Sequence, residues 1–192
     1  MSSIQTVLGP ICSSDLGVTM IHEHVVSRYK ENYRPMELNY AVSMLKEARM
    51  LGLRTLVEVS PPRMFIDYGG RNIPLLQEVS KKTHVNIICC TGYYQIPPEV
   101  KDMTVETIAD KMVKEITEGI DGTDVRAGII KVAANHDPLE PLEEKVFKAA
   151  GIAQKRTGVP VQTHCTVGLK TQFEIIVSAG ADPRRCAFAH VF

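Results

Sequence analysis

Thr19-Met20-Ile21-His22-Glu23-His24 closes a short apolar run that begins at Gly17-Val18. A strand has a side-chain period of two, so His22 and His24 point to the same face. Two neutral imidazoles side by side at a strand's C-terminal end form a half-site for a divalent metal. The competing reading is an exposed polar turn, because one H-x-H pair is a weak signal. The choice turns on whether other strand ends carry matching groups.

Working outward, apolar runs and helical patterns alternate along the whole chain. Residues 4–8 form a short strand ended by Gly9-Pro10, and Gly17 to Ile21 form the next. A loop follows over 25–36, with Tyr29, Tyr33 and Pro35. Leu38, Ala41, Val42, Leu45 and Ala48 recur at three or four residues, which predicts a helix from Glu37 to Leu51 stopped by Gly52. Thr55 to Val59 is strand-like and stops at Pro61-Pro62; a loop over 60–72 carries Gly69-Gly70. Further helices are expected over Pro74–Lys82, Thr104–Glu118, Pro141–Thr157 and Leu169–Ala179, each with a start or stop residue of the right kind. Strands are expected over Val85–Cys90, Ala127–Val132, Val159–Thr163 and Cys186–Ala189.

Strand and helix thus repeat about every 30–40 residues, the pattern of parallel strands joined by helical crossovers. The strands are continuous apolar runs, which fits burial on both faces. The expected fold is α/β, a (β/α)8 TIM-barrel type here incomplete, with about six βα units in a single domain over 1–192. Strands seven and eight have no counterpart in these residues.

Composition excludes several function classes. The 192 residues are 44% hydrophobic and 23% charged, with Lys+Arg and Asp+Glu equal at 22 each. Nothing suggests a nucleic-acid groove or a membrane surface, and no apolar run reaches membrane-spanning length. The N-terminal residues lack the basic and apolar regions of a signal peptide, so a cytoplasmic location is expected. The five cysteines (Cys12, Cys89, Cys90, Cys165 and Cys186) include no Cys-x-x-Cys pair, and reduced thiols are expected. Cys89 and Cys90 should face opposite sides of a strand. Cys165 beside His164 could be a nucleophile, but strand neighbours point to opposite faces.

The strand ends now answer His22 and His24. Lys131 closes the fourth unit's strand, His164 the fifth and His190 the sixth. In a (β/α)8 barrel that end collects ligands and catalytic groups. For any one histidine a core or surface role is the simpler reading. Four of the six histidines at such ends, with a buried-looking lysine, favour a metal site. Lys131 would be costly to bury as an ammonium. It could snorkel or pair with a carboxylate. Beside a histidine metal site, its neutral amine could instead take up CO2 as a carbamate, an anionic oxygen donor able to bridge two metals.

Thr19-Met20-Ile21-His22-Glu23-His24, Gly128-Ile129-Ile130-Lys131, Thr163-His164 and Ala189-His190 resemble the successive metal-binding motifs of the phosphotriesterase family, within the amidohydrolase superfamily. Gly69-Gly70-Arg71-Asn72, Cys90-Thr91-Gly92-Tyr93-Tyr94, Glu118-Gly119-Ile120-Asp121-Gly122-Thr123 and Pro141-Leu142-Glu143-Glu144-Lys145 look similar too, in the same order and spacing. The resemblance implies a binuclear site, usually zinc, with manganese or cobalt as alternatives. His22 and His24 would bind the more buried metal, and His164 and His190 the more exposed one. Lys131, carboxylated by CO2, would bridge them and serve catalysis. Tyr94 matches the position where lactonases of the family set a tyrosine near the substrate oxygen; a stacking role at a strand end is an equal reading.

The implied activity is hydrolysis by a hydroxide held between the metals, on lactone or ester bonds, with organophosphate esters as a further class. The implied partner is a small-molecule substrate, and a homodimer is expected of the full-length form. The family's strand-eight aspartate has no counterpart among these residues. An inactive, incomplete subunit that needs the missing part or a partner is therefore the alternative. A third is hydrolysis of another bond, such as an amide or a phosphodiester.

Overall fold

Each apolar run between turn residues becomes a parallel strand, and each amphipathic run a helix that covers it. The computed structural model describes residues 3–25, 34–65 and 68–191. The six parallel strands are β3 (Val18–Glu23), β4 (Leu53–Glu58), β7 (Asn86–Tyr93), β8 (Ile129–Ala134), β9 (Val161–Cys165) and β10 (Cys186–Ala189). They form one sheet in the order β10-β9-β8-β7-β4-β3. Between successive strands run α1 (Arg34–Met50), α2 (Ile73–Thr83), α3 (Val105–Thr117), α4 (Pro141–Thr157) and α5 (Leu169–Ser178). This is the expected α/β barrel-type architecture.

The sheet curls. Gln162 on β9 donates its side-chain Nε2–H to the Ile21 carbonyl on β3 at 3.2 Å, reaching across from one side of the sheet to its far edge. Two apolar layers result. Leu56, Cys89, Ile130 and Val161 pack outward among the helices. Val57, Val59, Ile88, Cys90 and Ile129 face inward, with Ile4 and Leu16 against them. Adjacent Cys89 and Cys90 fall in different layers, as strand alternation requires.

Several details differ from the sequence reading. Gly9-Pro10 does not end the first strand: Ser3–Thr6 (β1) turns back as Gly9–Cys12 (β2), an antiparallel pair. Gly9, at φ 109°, makes that turn possible, and Pro10 sits in a two-stranded edge where a missing N–H is tolerated. Helix α1 begins at Arg34, three residues before the expected Glu37. Most of the loop read over 25–36 lies outside the described residues. The loop over 60–72 contains a small antiparallel pair, β5 (Arg63–Phe65) and β6 (Tyr68–Gly69). Strand β8 is buried at all six positions, whereas β3 is exposed at three of six. Burial on both faces therefore holds for central strands and fails at the edge, where no neighbour among the described residues covers the strand.

Two helix starts are fixed by specific side chains. Thr104 caps α3 by accepting the Thr107 N–H at 3.1 Å. Glu143, expected only as a favourable first-turn charge, does more. Its carboxylate accepts the Asn135 and Glu140 N–H groups at 2.7 and 2.9 Å, tying the exit of β8 to the start of α4.

Candidate metal centre

Strand register sets the depth of each candidate residue. Lys131 on β8 lies level with Gly92 on β7 and Gln162 on β9. His164 lies level with Ala133 and Ala189, one side-chain layer nearer the C-terminal ends. Lys131 therefore sits below the histidines. It also does not close its strand as read from sequence, because β8 runs on through Val132-Ala133-Ala134. The expected strand ran one residue past the lysine, to Val132; the structure carries it on through the buried Ala133 and Ala134.

The four expected histidines come together from three elements. His22 and His24 have ring centroids 5.7 Å apart at the end of β3. His164 and His190 are 4.5 Å apart, from β9 and the residue after β10. His22 and His190 join the pairs at 4.8 Å, across the two sheet edges. His190 adopts a left-handed backbone, φ 65°, uncommon for a residue with a Cβ. Tyr94, just past β7, packs edge-on to His164 at 5.1 Å. The other two histidines stand apart: His84 ends α2, and His136 pairs with Glu140 and Glu143 at the α4 start.

Burial favours the neutral forms of His22, His24, His164 and Lys131. Burial, followed by the nearby Lys131 and His190, lowers His22 to about 4. Burial and then His190 lower His164 to about 4 as well. Burial and Lys131 also lower His24. Lys131 is 1% exposed, and burial lowers its amine to about 8. Among the described residues, Lys131 Nζ and His22 Nδ1 have no hydrogen-bond partner. Burial raises the Tyr94 phenol.

The residues fit a metal group by donor chemistry. Zinc takes neutral imidazole at about 2.1 Å, so two rings on one tetrahedral ion have centroids about 5 Å apart. The His22–His24 and His164–His190 separations bracket that value. A buried amine without a partner is what a carbamate ligand would need as its precursor. No group of three or more His, Cys, Asp or Glu side chains forms a ready cation cage among the described residues. The cluster has a lysine at its bottom where a cage of that kind would have a carboxylate or a thiolate.

Sequence reading missed Glu58 and Ser60. Both are 2% exposed at the end of β4 and lie directly behind His24. The signal was present: a glutamate inside the apolar run Leu56-Val57-Glu58-Val59 needs a reason for burial. Cys165 is no nucleophile candidate in this setting. It is buried, burial raises its thiol, and its Sγ–H reaches the Val167 carbonyl at 3.6 Å.

Comparison with known proteins gives concordant results. The model of the phosphotriesterase family matches residues 2–191. A phosphotriesterase homology protein of Escherichia coli is 35% identical over 186 residues, covering 91% of this chain and 62% of that protein. An aryldialkylphosphatase of Saccharolobus solfataricus is 34% identical over 193 residues, covering 93% and 60%. Among solved structures, a mutant organophosphorus hydrolase from Deinococcus radiodurans superposes with a TM-score of 0.87 at 33% identity, covering 97% of this chain and 61% of that one. The chain thus spans a little under two thirds of the length of these relatives.

Proposed function

The chain belongs to the phosphotriesterase family, and on that premise we propose that it carries the larger part of a metal-dependent hydrolase acting on lactone or ester bonds, with organophosphate esters as a second class. One observation carries this reading. Four histidine rings meet above the buried, unpartnered amine of Lys131, at the C-terminal ends of parallel strands.

In this reading His22 and His24 would hold one metal, His164 and His190 a second, and Lys131, once carboxylated, would be a ligand to both. Zinc suits the imidazole donors, with manganese or cobalt as alternatives. Bound metals would supply an activated water and a polarised electrophile. The remaining work falls to the chain. Burial and the neighbouring cationic groups keep His22 and His164 down at about 4, and burial and Lys131 lower His24, so these rings are neutral donors near neutral pH. Lys131, lowered to about 8, offers a fraction of free amine at neutral pH. The nitrogen lone pair of that neutral amine would add to the carbon of CO2 as one C–O π bond opens to a carboxylate, with release of one N–H proton, so that a group costly to bury as an ammonium would become an anionic ligand. Tyr94, edge-on to His164, presents a protonated phenol that can donate to a substrate oxygen.

The test combines metal analysis with a substrate screen of lactones, aryl esters, phosphotriesters and N-acyl amides. Two equivalents of divalent metal and turnover of a lactone or ester are expected. Metal binding without turnover would favour an incomplete subunit. Turnover of amides alone would reassign the bond. A chain with neither metal nor turnover would refute the reading. No described helix is long and apolar enough to cross a membrane, and Cys89, Cys90, Cys165 and Cys186 form no disulfide, which suits a cytoplasmic setting.

A further inference from the structure

His24 rests on a support that the functional reading leaves without a role. Its Nδ1 lies 2.8 Å from Ser60 Oγ. Ser60 donates its hydroxyl proton to Glu58 Oε1. The other carboxylate oxygen, Oε2, accepts the Ser60 backbone N–H at 3.2 Å. An ionised carboxylate can only accept. With Glu58 in its carboxylate form the single Ser60 proton goes to Glu58, and Ser60 Oγ accepts from His24. His24 then carries its proton on Nδ1 and keeps the lone pair on Nε2.

We infer that Glu58 and Ser60 are positioning residues that fix His24 in the Nδ1–H tautomer and turn its Nε2 toward the metal centre. The inference rests on the reading of His24 as a ligand. Metal-binding histidines commonly give their second ring N–H to an outer partner of this kind. Packing alone does not account for Glu58. An apolar side chain would fill the same space without desolvating a carboxylate. Arg71, whose charge acts on Glu58 from a distance, donates to the side chains of Glu115 and Asp121 and not to that of Glu58. His22 supplies an internal contrast, since among the described residues its Nδ1 has no hydrogen-bond partner to fix its tautomer.

The test uses the full chain, 15N-labelled at histidine, with chelator present. Burial pushes Glu58 up to about 7, so the measurement is made at about pH 8.5, where the carboxylate form prevails. Long-range 1H–15N correlation spectra should show His24 as one Nδ1–H tautomer and His22 as an exchanging mixture. Ser60→Ala should convert His24 to a mixture too, while Ser60→Thr, which keeps the hydroxyl, should retain the single form. In a competition assay against a chromophoric chelator, Ser60→Ala should weaken Zn2+ binding about 10- to 100-fold. An unchanged His24 tautomer in Ser60→Ala overturns the inference, whatever happens to zinc affinity, because the effect would then be packing. A wild-type chain that binds no Zn2+ fails the functional reading alone; tautomer collapse in Ser60→Ala would still support the positioning role.

Discussion

Lys131 is the residue on which most of the chemistry turns, and its burial has a measurable cost. A buried donor left without a partner costs about 1–3 kcal/mol. Lys131→Met keeps the chain length and removes the amine. The metal-free variant should therefore be more stable than the wild type by about that amount at neutral pH, while losing two-metal occupancy. The pH dependence has a definite sign. Burial lowers the folded-state value from the ordinary 10.5 to about 8, so between those limits the unfolded chain holds the proton that the folded chain has released. Wild-type stability relative to Lys131→Met should rise from about pH 8 to about pH 10.5, as measured by urea unfolding with chelator. A constant difference across that window would contradict a buried amine. Lys131→Glu is the milder change, since a carboxylate can bridge two metals without CO2. At this scale the sequence was readable where chemistry repeats: four histidines after apolar runs announced themselves. Glu58 left a local sign, a charge inside an apolar run, but its link through Ser60 to His24 did not show, because His24 lies on the neighbouring strand. A pairing between strands 36 residues apart leaves no periodic trace.

Elements were legible where local rules decide them. Helices α3 and α4 start within a residue or so of expectation, because Thr104 at one start and Pro141 at the other mark them. The β1–β2 pair was missed because Gly9-Pro10 reads equally as a stop or as a reversal. The depth of Lys131 was missed for a different reason: a strand's end depends on its neighbours, here β7 and β9, which pair with β8 beyond the lysine. That pairing places Gly92 level with Lys131, and here glycine is required. Gly92 has φ 111°, and a Cβ added to it would lie 2.1 Å from the Lys131 carbonyl oxygen. Gly92→Ala must push β8 away from β7 or unwind the turn into Tyr94. The expected cost is about 2–4 kcal/mol in urea unfolding, together with reduced zinc stoichiometry, since Lys131 moves with its strand. A variant of wild-type stability and metal content would show that the two strands separate freely at this level.

At the scale of the whole molecule, the sheet has two edges that lie close inside and stay uncovered outside. β3 and β10 have one strand neighbour each among the described residues. On β3, Val18 and Ile21 are about two-thirds exposed, at 65% and 64%. On α1, the helix that follows β3 in the chain, Met36, Tyr40 and Met44 are exposed at a spacing of four, which makes an apolar stripe. Long apolar edges template pairing with other chains, and apolar patches of this kind seek cover. The 192-residue chain is therefore expected to self-associate through the β3–α1 face, with a mass in light scattering that rises above that of one chain between about 1 and 100 μM. Val18→Lys tests the route. An edge lysine blocks strand pairing while its charge stays in water, and Val18 lies five residues before Glu23, away from the histidine cluster. The variant should return to the mass of one chain with its zinc binding unchanged. A wild-type chain that is already monomeric over that range would mean that the curled sheet shields its own edges. Association that survives Val18→Lys would move the contact to β10 and α5, where Leu169 and Phe173 are the exposed apolar side chains.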